Sequence, residues 1–413
     1  MAGIVGFLEG SLRQVAKGGR AYKLWILALL AGVAVGLVGY ERQFRVGLIA
    51  TNMRDQVTWA FYIGNFTFLV GVAAAAVLLV IPAYVYQWKP IKEVVILGEL
   101  LAVSALVMVL LFVLVDMGRP DRFQHILPWL GTPNWPSSLL GWDALVLNVY
   151  LLVNLLVVVH ILYKGYQGRD YDKRFVIPLV LFSIPMAVGI HTVTAFLYNG
   201  MAARPYWNAS ILAPRFLASA FCSGPAVLLI LFQVLRKTTG LEIRDEAIWK
   251  VAELMSYAMF FNLFLLGAEM FKEFYSATEH TLFTRYYWFG IGPHRALVPF
   301  AWASFLASLT AFFLFLIPRT RRNWVTLNLG CVLIWAGVYI EKGIGLVLPG
   351  MTPDTLGEIY DYTPTANEWM VATGVFSIGF LVFTLLVKVA VPIMSGALRS
   401  QRAAGPGAAA PAH

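Results

Sequence analysis

A histidine and an aspartate inside apolar sequence are the first residues that could do chemistry. Asp143 follows Trp142 at the start of one long apolar run, and His191 lies within another, GIHTVTAFL at 189–197. His191 stands about sixteen residues into its run, about 24 Å from the inner end at 1.5 Å per residue, so both groups fall in the outer third of a membrane. An imidazole and a carboxyl that exchange a proton suit a quinone, whose carbonyls need hydrogen-bond donors and whose reduction takes up two protons. Tyr62, Asn65 and Thr67 on a neighbouring run lie at the depth of Asp143 and could supply such donors. A buried polar pair that only joins two helices is the competing reading. Ionisable groups in hydrocarbon cost several kcal/mol unless paired or hydrated, so the others count too. Asp116, Arg215, Glu269, His294 and Glu341 lie towards the outer face, and Glu99, His160 and Glu253 towards the inner one. Glu99 and Ser104 on one run, with His160, Glu253 and Glu269 on others, are candidate stations for protons; hydration at the interface is the plainer reading of Glu99.

The elements that position these groups follow from composition. Of 413 residues, 59% are hydrophobic and only 13% are charged, about half the charged share of a soluble domain. Such a chain is an integral membrane protein in contact with a lipid bilayer, which excludes a soluble enzyme and a nucleic-acid partner. Ten apolar segments are long enough to cross about 30 Å of hydrocarbon: approximately 24–40, 58–86, 94–116, 139–163, 175–198, 209–235, 247–272, 296–317, 323–341 and 366–391. The runs are continuous rather than alternating, which argues for helices and against a β-barrel. The expected fold is all-α, with about ten transmembrane helices.

Of the 31 Lys and Arg, 20 fall in the set of loops shared with both termini. The positive-inside rule therefore predicts cytoplasmic termini in a cytoplasmic (inner) membrane, with the long loops 41–57, 117–138, 199–208, 273–295 and 342–365 outside. The helices also repeat at an offset of about 153 residues. Phe68, Gly71 and Ala73 match Phe221, Gly224 and Ala226, and Glu99 and Asp116 match Glu253 and Glu269. Four helices separate the copies, so the repeats run parallel. This predicts two parallel-repeat four-helix bundles plus two additional helices. The segments are 1–23, a cytoplasmic N-terminal segment; 24–57, the first span and its outer loop; 58–208, the first bundle with the quinone site; 209–342, the second bundle; 343–395, an outer loop and the last span; and 396–413, a disordered Ala/Gly/Pro-rich tail.

Cysteine limits the redox chemistry. Cys222 and Cys331 are the only two, and no C-x-x-C occurs, so the chain is expected to carry no iron–sulfur cluster and no c-type haem of its own. A b-type haem needs two His ligands at one depth, and His160 and His191 lie at opposite ends of their helices.

With those residues in view, five segments resemble the NrfD/PsrC superfamily of polysulfide reductase membrane subunits: WAFYIGNFTFLVGVAAAA at 59–76, DMGRPDRF at 116–123, GIHTVTAFL at 189–197, GAEMFKEFY at 267–275 and IEKGIGLVLPG at 340–350. The last two look most similar to the DsrP and QrcD type. The resemblance spans about 24–395. It implies a menaquinone or other quinone as substrate near the outer face of the first bundle, with no redox cofactor in this chain. It implies a quinone site of Tyr62, Asn65, Asp116, Trp142, Asp143, His191 and Thr194, in which His191 and Asp143 exchange protons with the quinone, and it touches Arg119 more weakly. It also implies a ferredoxin-like iron–sulfur subunit on the periplasmic face, with a multihaem cytochrome c or a molybdopterin-family subunit beyond it.

The sequence thus reads as the quinone-interacting subunit of a respiratory oxidoreductase complex of anaerobic respiration. Cytoplasmic proton uptake through Glu99 would make turnover electrogenic. A passive anchor for peripheral subunits, or a proton or ion transporter without quinone chemistry, are the alternatives.

Overall fold

The computed structural model describes residues 2–126, 130–132 and 134–400. Among them ten helices are long and apolar enough to span a membrane. A first helix, α1 (Ala2–Ala16), precedes them. The spans are α2 (Arg20–Val46), α3 (Phe61–Val85), α4 (Val95–Asp116), α5 (Leu139–Tyr166), α6 (Lys173–Asn199), α7 (Leu212–Thr239), α8 (Asp245–Ser276), α10 (Val298–Leu316), α11 (Trp324–Met351) and α12 (Ala366–Met394). Between α8 and α10 the loop holds a short buried helix, α9 (His280–Phe289). The tail predicted at 396–413 lies outside the described residues from 401 onwards.

Helices α3–α6 pack together, as do α7, α8, α10 and α11. The two groups meet where α7 lies against α3 and α6, and α11 against α3. These contacts obey the internal repeat, since α6 on α7 corresponds to α11 on α3. Gly71 of α3 approaches the backbone of Ala220 on α7, so the repeated Phe-x-x-Gly-x-Ala segments form the seam between the bundles. The fold is the expected all-helical one: two four-helix bundles with α2 and α12 added.

The added helices pair tightly. Gly32, Gly36 and Gly39 of α2 face Ser377, Gly374 and Met370 of α12, and a Cβ at Gly36 would collide with the backbone of Gly374. Small residues four and three positions apart, on one helix face, allow this approach, and dispersion between close backbones holds it. The pair covers the first bundle, with α12 lying on α4 and α5. Phe376 of α12 meets Phe112 of α4 edge-on, ring centroids 5.5 Å apart.

Three features depart from the sequence reading. The first span does not stop at 40 but runs on to Val46, so the outer loop predicted at 41–57 begins later. The segment at 1–23 contains a helix, and Phe7 of α1 packs edge-on against Tyr163 and Tyr166 at the end of α5. The ninth span does not stop at 341, and Lys342 is not in a loop. The helix continues through a π-helical turn at Ile340–Ile344 to Met351. Hydropathy ended the span early because Glu341 and Lys342 count against it, although both are buried and paired to each other. The second bundle accordingly extends past 342, and the outer loop begins later. Pro349 leaves the carbonyl of Gly345 without its helical donor. Tyr206 Oη supplies the missing bond at 3.0 Å, and Trp207 Nε1 donates to the carbonyl of Leu346 at 2.8 Å.

Candidate functional site

The spans define a long-loop face, where α3, α5, α7, α10 and α12 begin, and a terminal face that carries both chain ends. The sequence-predicted quinone residues lie in the long-loop half of the first bundle, but in separate places. Asp143, one turn into α5, is 2% exposed, and Thr194 of α6 donates a hydrogen bond to it at 2.7 Å. His191, one turn from Thr194 along α6, is 1% exposed. Its Nδ1 lies 2.8 Å from the carbonyl of Ala187, and its Nε2 has no partner among the described residues. His191 lines a small cavity at the seam with Thr67, Ser219, Ser223 and Lys342. That cavity holds about 10 Å³ of water-accessible space, room for roughly one water molecule. No hydrogen bond joins His191 directly to Asp143 among the described residues.

Tyr62 and Asp116 form a second locus, where α2 meets α3 and α4. Tyr62 Oη donates to Gln43 of α2 at 2.8 Å, and Gln43 Nε2 donates to the carbonyl of Val115 at 2.6 Å. Asp116 Oδ1 is buried without a partner. Gln43 also lines a small groove with Tyr40, Gly47, Leu48 and Met117. Asn65 turns to the other bundle, where Tyr339 of α11 donates to it at 2.8 Å. Trp142 sits half-buried at the rim, its ring 4.0 Å from that of Trp135. Arg119, exposed, forms a bidentate pair with Asp121. Nothing in the sequence signalled Gln43, because the sequence reading ends the first span at 40 and places Gln43 in the outer loop 41–57, whereas α2 continues to Val46.

The second bundle carries the strongest buried electrostatics. Arg215 of α7 pairs with Glu269 of α8 and, at 2.7 Å, with Glu341 of α11. Lys342 Nζ lies 3.1 Å from the same Glu341. Two cations thus balance two carboxylates, the condition under which buried charge is tolerated. Arg215 stands 153 residues after Tyr62, and Glu269 the same distance after Asp116. The second bundle therefore holds an ion pair where the first holds a phenol and an unpaired carboxyl.

The proposed proton stations separate. Glu99, 2% exposed, accepts from Tyr84 at 3.1 Å, and its other oxygen has no partner. Ser104 spends its hydroxyl on the carbonyl of Leu100 in its own helix. His160 stacks on Phe175 near the terminal face and accepts from the backbone N–H of Asp172. Glu253 is a half-exposed partner of Lys250 on the same face, and Glu269 belongs to the Arg215 pair. Tyr84, which the sequence reading missed, also lines a cleft of about 840 Å³ open on the terminal face. Glu99 is thereby bonded to a residue of the cleft wall.

The profile described as "Polysulphide reductase, NrfD" matches residues 50–353. The chain belongs to the NrfD family. It is 27% identical over 404 residues to a putative dimethyl sulfoxide reductase membrane subunit of Halobacterium salinarum, covering 87% of this chain and 88% of that protein. It is 24% identical to a selenate reductase subunit of Mesobacillus selenatarsenatis, over 90% of this chain and 95% of the relative. It is also 21% identical to the Hdr-like menaquinol oxidoreductase integral membrane subunit of Archaeoglobus fulgidus, over 89% and 92% respectively. The NrfD match spans both bundles and ends two residues beyond α11. It therefore takes in the π-helical turn with Glu341 and Lys342, and it leaves α12 and all of α2 outside.

Proposed function

We propose that this NrfD-family chain is the membrane subunit of an oxidoreductase complex and exchanges electrons between a quinone pool, such as menaquinone, and an iron–sulfur partner docked on the long loops. The observation that carries the reading is the contrast between the bundles. In the long-loop half of the first, Asp143 is buried against the Thr194 hydroxyl and Asp116 Oδ1 is buried without a partner; neither carboxyl pairs with a cation among the described residues, and the unpartnered Nε2 of His191 is nearby on α6. In the second, the corresponding carboxylate is neutralised by Arg215. Carboxyls and an imidazole free of salt bridges can give protons to a substrate and take them back; a carboxylate held in an ion pair is committed. The relative named as a menaquinol oxidoreductase subunit supports the same substrate class.

In this reading Asp143 and His191 exchange protons with the quinone, Thr194 orients the carboxyl of Asp143, and Tyr62 with Asp116 flanks the head group. The long-loop face is periplasmic, and the terminal face is cytoplasmic. Protons enter from the cytoplasmic cleft through Tyr84 and Glu99. The test is quinone turnover by the purified complex. His191→Ala and Asp143→Asn abolish turnover while the complex still assembles. Normal turnover in both variants overturns the proposal and leaves a passive anchor.

A further inference from the structure

One layer of side chains separates the Arg215 cluster from a groove on the lipid-facing side. An apolar groove of about 330 Å³ runs along the lipid-facing side of the second bundle, between α8 and α10, lined by Gly267, Phe274, Phe289 and Trp302 among others. Its inner wall, formed by Leu266, Met270, Trp288 and Phe305, is also the outer wall of a small polar cavity around Arg215, Glu269 and Ser308. Two donors in that cavity are buried and unpartnered: Arg215 Nε, on a residue 7% exposed, and Ser308 Oγ, on one 2% exposed. Buried donors are rarely left without acceptors, so each is available to an acceptor oxygen, whether of a water molecule or of a ligand.

The internal repeat sharpens the point. In the first bundle the angle between α4 and α5, which corresponds to that between α8 and α10, is covered by α12. In the second bundle only the short α9 touches both helices, at the long-loop end, and Phe289 and Trp302 are half-exposed there.

We infer that the second bundle holds a second binding site for an isoprenoid quinone, entered sideways from the bilayer. The flat ring lies among the aromatic side chains, and the isoprenoid tail stays in the lipid. One ring carbonyl accepts from Arg215 Nε and Ser308 Oγ after Leu266 or Met270 moves aside. The groove has the volume of a small-molecule site, and aromatic walls with a few convergent donors are the usual lining of one. A phospholipid acyl chain would also fill the groove, but it offers nothing to the two donors. The inference rests on the proposal that the chain handles a quinone, and concerns binding alone.

The test is photolabelling of the purified complex with an azido-quinone, followed by peptide mass spectrometry. Label is expected on peptides of α8 and α10 as well as on the first bundle. Excess unlabelled quinone removes both labels, and excess phospholipid removes neither. A Cβ at Gly267 would meet open space, so Gly267→Phe fills the groove without disturbing the backbone. It should abolish the second-bundle label and preserve the first. Ser308→Ala, a milder change, should weaken competition at the second site about fivefold to tenfold, the worth of one hydrogen bond. Label confined to the first bundle overturns the second site while the proposed function stands. Second-bundle label displaced by phospholipid assigns the groove to lipid and also overturns it. Label in neither bundle overturns both.

Discussion

Tyr339 of α11 donates a 2.8 Å hydrogen bond to Asn65 of α3, and this bond ties the second bundle to the first in the long-loop half of the seam. The ring of Tyr339 also stacks on Trp335 and meets Phe68 edge-on. Tyr339→Phe keeps the aromatic packing and removes only the bond. It should lower stability by about 1 kcal/mol, read as a modest fall in the thermal unfolding midpoint in detergent. An unchanged midpoint would show that the seam is held by apolar packing alone.

Arg215→Met leaves Glu269 facing no cation and Glu341 with Lys342 alone. Removing one partner of a buried ion network costs about 3–5 kcal/mol, so this variant should be recovered as aggregate in size-exclusion chromatography. Arg215→Met combined with Glu269→Gln should restore a large part of the monodisperse peak. If the single variant behaves as wild type, the cluster is more hydrated than its burial indicates.

Thr194→Val removes the hydroxyl that orients Asp143 and preserves side-chain volume. Quinone turnover should fall about tenfold, the equivalent of one hydrogen bond to a carboxylate, and Thr194→Ser should recover most of it. Equal rates for Thr194→Val and wild type would remove Thr194 from the site.

Tyr84→Phe breaks the link between the 840 Å³ cleft and Glu99. In proteoliposomes reporting membrane potential, Tyr84→Phe and Glu99→Gln should both reduce the potential generated per quinone reduced. Each proton drawn across a 100 mV potential involves about 2.3 kcal/mol, so the loss is measurable. A full signal from both variants places the proton route elsewhere.

Gly36→Leu cannot be accommodated against Gly374 and should separate α2 from α12. Cysteines introduced at Gly32 and Ser377 should then cross-link poorly, whereas in the otherwise native chain they should cross-link readily. Efficient cross-linking in the leucine variant would mean that the pair is held mainly by its ends.

The ten spans were legible because hydrocarbon selects for long apolar runs, and the repeat was legible because matched carboxylates kept their spacing. The end of α11 was not. Hydropathy treats Glu341 and Lys342 as soluble residues, whereas the fold cancels their charges against each other and against Arg215. Similarly, depth along each helix placed the candidate site residues in one layer, but depth carries no azimuth. Tyr62, Asn65 and His191 share that layer and face three different neighbours: Gln43, Tyr339 and the seam cavity. Gln43 came from a helix outside both repeats, so no periodicity pointed to it.

The embrace of α2 by α12 bears on how the molecule is made. Ribosomes deliver α2 before either bundle and α12 after both, so the wall over α4 and α5 is completed only once both bundles have been made. Until then the flank of the first bundle stands open to lipid, as the second bundle's flank does permanently. An insertion intermediate halted after α11 would present two similar bundles, each with a bare side. The asymmetry between them is thus an event in biosynthesis, dated to the arrival of α12.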